Sequence, residues 1–345
     1  MAGGGSAYNL SRMDVSRPLS LSIVIPTHDS RELTLACLAS LFRSPVAGME
    51  VVLVDDASRD GTAEAVRELF PGVLVERHET PERFTRSAND GIARTTGEIL
   101  LLLNSDTEVE PNGLKGLLAV FAREPELGIA GALLHYPDGS PQWSGGREPS
   151  LAWFFVLASG LPALLQRLPF YRRLKPLAAP GPVPVDWVTG AAMALRRPVW
   201  EAVGPLDEGF RFYVQDLDFC LRARRVGWGV AVRPELRVLH HHGATIGREP
   251  GASRRQQHEL LWTDLLRWAR KQHGEPWAAR AGAALRVGAV LRLAGRRLAS
   301  PFVASRRREE WKEDAKALRR ALAAITPDGR GDPGGPGSPR LPSSP

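Results

Sequence analysis

Apolar runs alternate with amphipathic stretches through the first third of the chain. The runs are rich in Val, Ile and Leu and are short enough to be buried strands, at 21–27, 50–56, 73–78 and 98–104. Between them, apolar positions recur at helical spacing around 30–43, 58–69 and 86–96. The second of these helices follows Ser58, a residue type that caps helix N-termini. Strand–helix alternation with short links predicts an α/β fold with a mostly parallel sheet flanked by helices.

Two of the predicted strands end in carboxylates. The fourth run stops abruptly at Asn104, Ser105 and Asp106, and the second ends at Asp55 and Asp56. The carboxyl ends of parallel strands meet at one edge of a sheet, where open α/β folds bind their ligands. Hard cations such as Mg²⁺ and Mn²⁺ prefer oxygen ligands and bridge well to a diphosphate. The pattern therefore predicts a site for a nucleotide and a divalent cation.

The rest of the chain predicts a less regular succession of elements. We expect a strand and turn at 127–143, either a buried helix or a loop that contacts a lipid-linked substrate at 150–165, a strand at 185–195, a helix at 214–226, two short strands at 228–234 and 236–242, and basic helices over 253–325. A Pro/Gly/Ser-rich tail over 327–345 and the first 19 residues are expected to be disordered.

Composition narrows the function classes. The 345 residues are 43% hydrophobic, and the two cysteines, Cys37 and Cys220, fit a reducing cytoplasm better than a disulfide scaffold. No uncharged apolar run reaches the roughly 18–20 residues that cross a bilayer, and the N-terminus lacks the apolar core of a secretory signal. The first strand is not followed by the G-x-G-x-x-G of nicotinamide-binding folds, which argues against a dehydrogenase.

The basic charge is concentrated near the C-terminus. Residues 253–325 carry 17 Lys and Arg against 7 Asp and Glu, whereas the whole chain has a net charge of +7. This segment presents a solvated helical face, as charge runs generally do, or it lies on anionic lipid as an interfacial helix, or it packs on the catalytic domain or a partner subunit. Nucleic acid is not expected, because no recognition motif accompanies the charge.

Several motifs occur in an order that resembles a known family. They are IPTHDS, VDDASRDGT, FTRSANDGI, LLLNSDT, WVTGAAMALRR, VGPLDEGFRFYVQDLDFCLRARRVGW and HHHGAT. Their order over about residues 20–247 resembles the inverting nucleotide-sugar glycosyltransferases of family 2, which have the GT-A fold. Within that family the chain is most similar to rhamnosyltransferase-like enzymes of bacterial cell-surface polysaccharide assembly. The resemblance implies a dTDP-, UDP- or GDP-sugar donor and a divalent metal, Mg²⁺ or Mn²⁺.

The resemblance also implies roles for individual residues. Asp216 matches the catalytic base, and Asp106 and His240 match the residues that approach the metal, with His242 an alternative to His240. The positions that match donor-binding residues are Pro26, Thr27, Asp55, Asp56, Asn89, Asn104 and Ser105. The positions placed on the acceptor side are Trp187, Gly190, Ala191 and Gln215.

Three residues depart from the family pattern. Gln215 stands where the family usually has Glu, so Asp216 lacks a negative neighbour that would favour its neutral form. Asn104 replaces the usual first Asp of the metal motif. Asp264 replaces the Gln of the Q-x-x-R-W element of processive synthases in the segment DLLRW, which favours an enzyme that adds a single sugar.

The sequence therefore predicts a cytoplasmic inverting glycosyltransferase, with or without peripheral contact to the inner membrane face. It would transfer one sugar, rhamnose being the first candidate, to a hydroxyl of a lipid-linked or cell-surface glycan. One alternative is the same reaction with a UDP-hexose or GDP-mannose donor. Another is an inactive sugar-nucleotide-binding subunit of an assembly complex. We expect the catalytic GT-A domain at 20–250 and a basic helical extension at 251–326.

Overall fold

The computed structural model describes residues 18–161, 181–241 and 258–325. The described residues divide into two compact units. The first comprises 18–148, 181–209 and 215–241, and the second comprises 149–161, 210–214 and 258–325. The two terminal segments predicted to be disordered lie almost entirely outside the described residues. His242 also lies outside them.

The first unit is an α/β structure. Its strands are β1 Leu21–Thr27, β2 Glu50–Asp55, β3 Leu74–Arg77, β4 Ile99–Leu103, β5 Thr107–Val109, β6 Leu127–His135, β7 Gly145–Gly146, β8 Val183–Pro184, β9 Trp187–Val188, β10 Ala192–Arg196 and β11 Gly229–His240. Its helices are α1 Arg31–Phe42, α2 Thr62–Leu69, α3 Phe84–Ala93, α4 Gly113–Arg123, α6 Arg197–Val203 and α7 Gln215–Arg225.

Nine of the described strands form one mixed sheet. Its order is β3-β2-β1-β4-β10-β6-β11-β5, with β8 paired to β11. The strands β3, β2, β1 and β4 are mutually parallel, as the alternating pattern predicts. The strand β10 runs antiparallel to both β4 and β6, and β11 runs parallel to β6. The parallel half thus presents its carboxyl ends beside the start of β10.

Both faces of the sheet are covered by helices. Leu21, Ile23 and Ile25 of β1 belong to a core with α1 and α4, whereas Val24 points to the other side, into a core with α3, α6 and α7. A strand buried on both faces reads as a continuous apolar run, which is why the sequence pattern identified these strands. Gly91 of α3 lies so close to the sheet that an added Cβ would be 2.4 Å from Val24 Cγ1.

Three local predictions were wrong. The two strands expected at 228–234 and 236–242 are one strand, β11, because an irregularity between Arg233 and Arg237 accommodates Pro234 without ending the pairing. The strand expected at 185–195 is interrupted, with β9 and β10 separated by the turn that contains Gly190. The helix after β2 has Gly61 at its N-cap, where φ is +77°, and Ser58 lies four residues before its first residue.

The second unit is helical. Its helices are α5 Leu151–Ser159, α8 His258–His273, α9 Glu275–Ala299 and α10 Ser305–Ala324. The helix α5 is the described part of the segment predicted as a buried helix or a loop. Gly288 of α9 lies against α5, where an added Cβ would be 2.6 Å from the Phe155 carbonyl oxygen. No helix in the described part of the chain is long and apolar enough to cross a membrane.

Candidate active site

The tip of β4 carries the predicted metal residue. Asp106 is 2% exposed and lies in the turn between β4 and β5. The short strand β5 then pairs with the end of β11, with Thr107 opposite His240. The His241 N–H donates to the Asp106 carbonyl at 2.9 Å, and His240 Nε2 lies 3.4 Å from Asp106 Oδ1. Two residues 134 positions apart in sequence thereby form one carboxylate–imidazole pair.

Gln142 fixes the orientation of His240. Its Oε1 lies 2.9 Å from His240 Nδ1, and its Nε2 donates to the His240 carbonyl at 2.6 Å. With Oε1 as the acceptor, Nδ1 carries the proton and the lone pair of Nε2 points toward Asp106. Such an outer hydrogen bond is what orients a metal-binding imidazole. Sequence reasoning missed Gln142, since it follows the turn after β6 and carries no periodic signal.

A network of hydroxyl groups connects the ends of β1 and β4. Thr27 Oγ1 lies 2.7 Å from Ser30 Oγ and 2.8 Å from Thr34 Oγ1, and Ser30 Oγ lies 3.1 Å from Ser105 Oγ. All four side chains are buried. Pro26 lies just beyond the β1–β4 ladder, which ends at Val24, so its missing N–H leaves no gap there. The network brings the predicted donor residues Thr27 and Ser105 to one place.

Asp216, the predicted base, is the second residue of α7. Its Oδ2 accepts the Gly190 N–H at 2.8 Å and its Oδ1 accepts the Leu217 N–H at 2.8 Å. Burial raises the pKa of the Asp216 carboxyl above its ordinary value, against the opposing effect of these two N–H donors. A carboxylate held in place with a raised pKa suits proton abstraction near neutral pH.

The tip of β4 and Asp216 are connected through the turn before β10. The Asn104 N–H donates to the Ala191 carbonyl at 2.9 Å, and the neighbouring Gly190 N–H bonds Asp216. The tip of β4 and the start of α7 therefore meet at this turn. Among the described residues, nothing hydrogen-bonds the buried Asn104 Oδ1 or the buried Gln215 Oε1.

Asp55 and Asp56 lie at the end of β2 and shape the polypeptide around them. Asp55 Oδ1 accepts the Ser58 N–H at 3.0 Å. Asp56 accepts the Glu82 N–H at 2.7 Å, the Arg83 N–H at 2.9 Å and a contact from His78 Nδ1 at 2.9 Å. Beside them is a cavity of about 510 Å³, lined by residues 57–59 and 77–81. That volume is within the range of small-molecule sites.

Asn89 and Trp187 are engaged elsewhere in the first unit. The Asn89 amide donates to the Leu206 carbonyl at 3.0 Å and to Glu208 Oε1 at 2.8 Å, and it accepts the Leu206 N–H at 3.0 Å. Asn89 thus holds the loop that follows α6, and its predicted contact with the donor stays a prediction. Trp187 is half-buried and packs edge-to-face on Trp143.

Asp264 of the second unit holds the loop 210–214, which leads directly into α7. Its carboxylate accepts the N–H groups of Arg211, Phe212 and Tyr213 at 2.8–2.9 Å. Val214, the last residue of the loop, has φ +76°, a backbone conformation that is strained for a β-branched residue. The sequence singled out Asp264 only as a departure from a motif, so this function was missed.

The mixed, mostly parallel sheet flanked by helices has the GT-A fold, and solved structures of similar fold agree. A Pyrobaculum calidifontis mannosyltransferase in complex with GDP-Man and Mn²⁺ aligns with a TM-score of 0.54, 16% identity and coverage of 90% of this chain and 88% of that one. GalNAc-T7 with UDP, GalNAc and Mn²⁺ aligns with a TM-score of 0.56, 18% identity and coverage of 89% and 57%. At such identities the likeness concerns the fold.

The family follows from the sequence comparison. Residues 22–201 match the model of glycosyl transferase family 2, and the chain belongs to that family. An N-acetylglucosaminyl-diphospho-decaprenol L-rhamnosyltransferase of Mycobacterium tuberculosis is 28% identical over 273 residues, covering 74% of this chain and 85% of that protein. The O-antigen biosynthesis protein RfbC of Myxococcus xanthus is 28% identical over 236 residues, covering 65% of this chain and 17% of RfbC. The prediction of a family 2 glycosyltransferase that is rhamnosyltransferase-like is therefore confirmed. Asp216 and His240 lie beyond residues 22–201, the segment that the family model matches.

Proposed function

We propose that this glycosyltransferase inverts the anomeric centre of its donor sugar, with Asp216 as the base. The observation that carries the proposal is the half-buried Asp216 carboxylate, which the Gly190 and Leu217 N–H groups fix beside the tip of β4. Each carboxylate oxygen of Asp216 accepts one backbone N–H, and the residue is two hydrogen bonds from the strand end that carries Asp106.

The reaction is a single displacement. The acceptor hydroxyl oxygen attacks the anomeric carbon, Asp216 takes the hydroxyl proton, and the bond between the anomeric carbon and the diphosphate oxygen breaks. The nucleoside diphosphate leaves with that electron pair, and attack from the opposite face inverts the configuration. Positive charge accumulates on the sugar in the transition state, as in glycoside hydrolysis.

The side chains at the tip of β4 fit a divalent cation. Asp106 offers a carboxylate oxygen, His240 an imidazole nitrogen and Asn104 a buried amide oxygen, a set that suits Mg²⁺ or Mn²⁺. Within 18–161, 181–241 and 258–325, no three or more His, Cys, Asp or Glu side chains are arranged so that they could hold a metal ion by themselves, so diphosphate oxygens and water would complete the coordination. A bound cation would supply charge neutralisation for the departing diphosphate.

The donor nucleotide is assigned to the cavity at the ends of β2 and β3. Asp55 and Asp56 border it, and Pro26, Thr27, Ser105 and Asn89 are the further residues proposed to contact the donor. Trp187, Gly190, Ala191 and Gln215 are proposed to face the acceptor. The Gly190 contact with Asp216 supports this, because an acceptor hydroxyl must reach that carboxylate.

Rhamnose is the proposed sugar and a lipid-linked glycan the proposed acceptor. The similarity to the mycobacterial rhamnosyltransferase supports both. A nucleotide-sugar donor and two thiols that are both free and buried support a cytoplasmic site of action. We further propose that the segment 253–325 is the part of the chain that contacts the membrane.

The proposal is tested by measuring turnover by wild type and by Asp216→Asn. The donors are dTDP-rhamnose, UDP-hexoses and GDP-mannose, and the acceptor is a lipid diphosphate. We expect turnover with dTDP-rhamnose that Asp216→Asn abolishes while donor binding is retained, and a product of inverted configuration. Turnover with one of the other donors and not with dTDP-rhamnose would show that the transferred sugar is not rhamnose. Donor binding without turnover of any donor would favour an inactive binding subunit.

A further inference from the structure

The helix α9 of the second unit has two apolar faces. One is buried and consists of small or aliphatic side chains that include Ala281, Leu285, Gly288 and Ala289. The contact of Gly288 with α5 shows that this face is used for packing within the unit. A helix that packs on one side ordinarily has polar residues on the opposite side. On α9 the opposite side is apolar as well.

The second face presents large apolar side chains to solvent. Val287, Val290, Leu291 and Leu298 are 54%, 57%, 54% and 76% exposed, and Phe302 in the turn after the helix is 88% exposed. At about 100° per residue, positions 287, 290, 291 and 298 fall on one side of the helix. We name these five residues the α9 stripe. A contiguous exposed apolar patch of this kind marks an interaction surface.

The charged residues within the segment that carries the stripe are of one sign, although Asp314 of α10 pairs with Arg292 and Arg296. Residues 276–308 contain eight arginines and no Asp or Glu. Arg280 and Arg297 are exposed on α9 itself, and Arg307 is exposed at the start of α10. Arginine beside exposed leucine, valine and phenylalanine is the composition of a helix that lies in the interface of an anionic bilayer.

Other partners fit these observations less well. In a second copy seated on the same face, the exposed Arg280, Arg297 and Arg307 of one copy would oppose those of the other, and like charges would repel. Nucleic acid would use the arginines but leave the five apolar side chains exposed. An anionic lipid surface uses both features, because the arginines reach the headgroups and the apolar side chains enter the acyl boundary.

We propose that the α9 stripe seats this protein on an anionic membrane surface. The assignment of lipid as the partner stands on exposure and charge. Its connection to catalysis rests on the proposed function, since a lipid-linked acceptor would then be met at the surface where it resides. The proposal narrows the broad segment 253–325 to one face of one helix.

Co-sedimentation of the full chain with extruded vesicles tests the proposal. Wild type is compared on pure phosphatidylcholine and on phosphatidylcholine containing phosphatidylglycerol, together with the stripe variant Val290→Ser/Leu291→Ser and the charge variant Arg280→Gln/Arg297→Gln. The control is Leu69→Ser/Val226→Ser, which removes side chains that are 59% and 57% exposed in the first unit. Circular dichroism and size-exclusion chromatography establish that each variant is folded.

We expect wild type and control to bind the anionic vesicles and the stripe variant to bind at least about tenfold more weakly. The charge variant should lose binding to anionic vesicles and become less sensitive to added salt. Equal vesicle binding by the stripe variant and wild type would overturn the proposal, as would a wild type that binds neither vesicle. A concentration-dependent dimer that only the stripe variant loses would also overturn it, in favour of a second copy.

The same variants separate this inference from the proposed function. With an acceptor analogue that carries a short, water-soluble alkyl chain, the stripe variant should turn over like wild type, whereas with acceptor embedded in vesicles it should be slower. If wild type bound the vesicles but turned over no donor, only the proposed function would be refuted. If the stripe variant turned over the vesicle-embedded acceptor as fast as wild type, only the membrane proposal would be refuted.

Discussion

Gln142→Leu removes the side chain that orients His240 while nearly conserving volume. Gln142 is 4% exposed and makes two hydrogen bonds to His240, through Oε1 at 2.9 Å and Nε2 at 2.6 Å. Leucine leaves the buried imidazole N–H and the His240 carbonyl without these partners. Each buried group left unsatisfied costs about 1–3 kcal/mol, so for two groups we expect the free energy of unfolding to fall by about 2–6 kcal/mol.

The larger consequence concerns the proposed cation. Without an acceptor at Nδ1, His240 no longer favours the tautomer whose Nε2 lone pair faces Asp106. Loss of such an orienting partner typically weakens metal affinity about 10–100-fold. Mn²⁺ binding is measured directly by electron paramagnetic resonance in the presence of a nucleoside diphosphate, at a temperature where chemical denaturation shows the variant to be folded.

Gln142→Glu is the matched control. Its carboxylate still accepts from Nδ1 but cannot donate to the His240 carbonyl, so stability should fall while Mn²⁺ affinity is retained. If Gln142→Leu binds Mn²⁺ as wild type does, or if Gln142→Glu loses affinity equally, the orienting function is refuted. If wild type itself binds no Mn²⁺, the cation site is refuted.

Four further predictions concern other parts of the structure. Asp216→Asn should lower turnover by about 10²–10⁴-fold with little change in donor affinity measured by calorimetry, and a donor affinity that falls equally would contradict a base. Because burial raises the Asp216 pKa and the base must be deprotonated, wild-type turnover should fall on acidification at a pH above the ordinary aspartate range; a kcat–pH profile that is flat down to pH 4 would contradict this. Gly91→Ala should destabilise the fold by about 1–3 kcal/mol in urea titration, since its Cβ would overlap Val24, whereas Gly72→Ala, where an added Cβ meets nothing within 4 Å, is the control. Asp264→Asn places an amide group against the three backbone N–H donors of residues 211–213 and should lower kcat more than it raises the donor KM. Asp264→Glu should recover part of the loss. An unchanged kcat would show that catalysis does not depend on these hydrogen bonds to the loop.

The parts of the fold that were predictable are those with strong local signals. The strand β4 is an unbroken apolar run that ends at polar residues, so both its burial and the place of Asp106 could be predicted from sequence. The pairing of Asp106 with His240 came only from the family resemblance, since nothing local connects positions 134 residues apart. The geometry now supplies the connection through β5 and β11.

The missed features depend on long-range packing. Gln142 acts on a residue 98 positions away, and Asp264 holds a loop more than 50 positions earlier. Neither has a motif of its own. The single strand β11 was divided because Pro234 usually ends a strand, and the irregularity that accommodates it is invisible in hydrophobic periodicity.

The three-residue strand β5 connects the proposed cation site to the completion of the sheet. It follows the tip of β4 but pairs with β11, the last strand of the sheet within the described part of the chain. A nascent chain that has not yet acquired β11 therefore possesses the aspartate without its histidine. Manganese affinity should then emerge late in refolding, so that the ion serves as a reporter of the completed sheet and stabilises only molecules that have reached it.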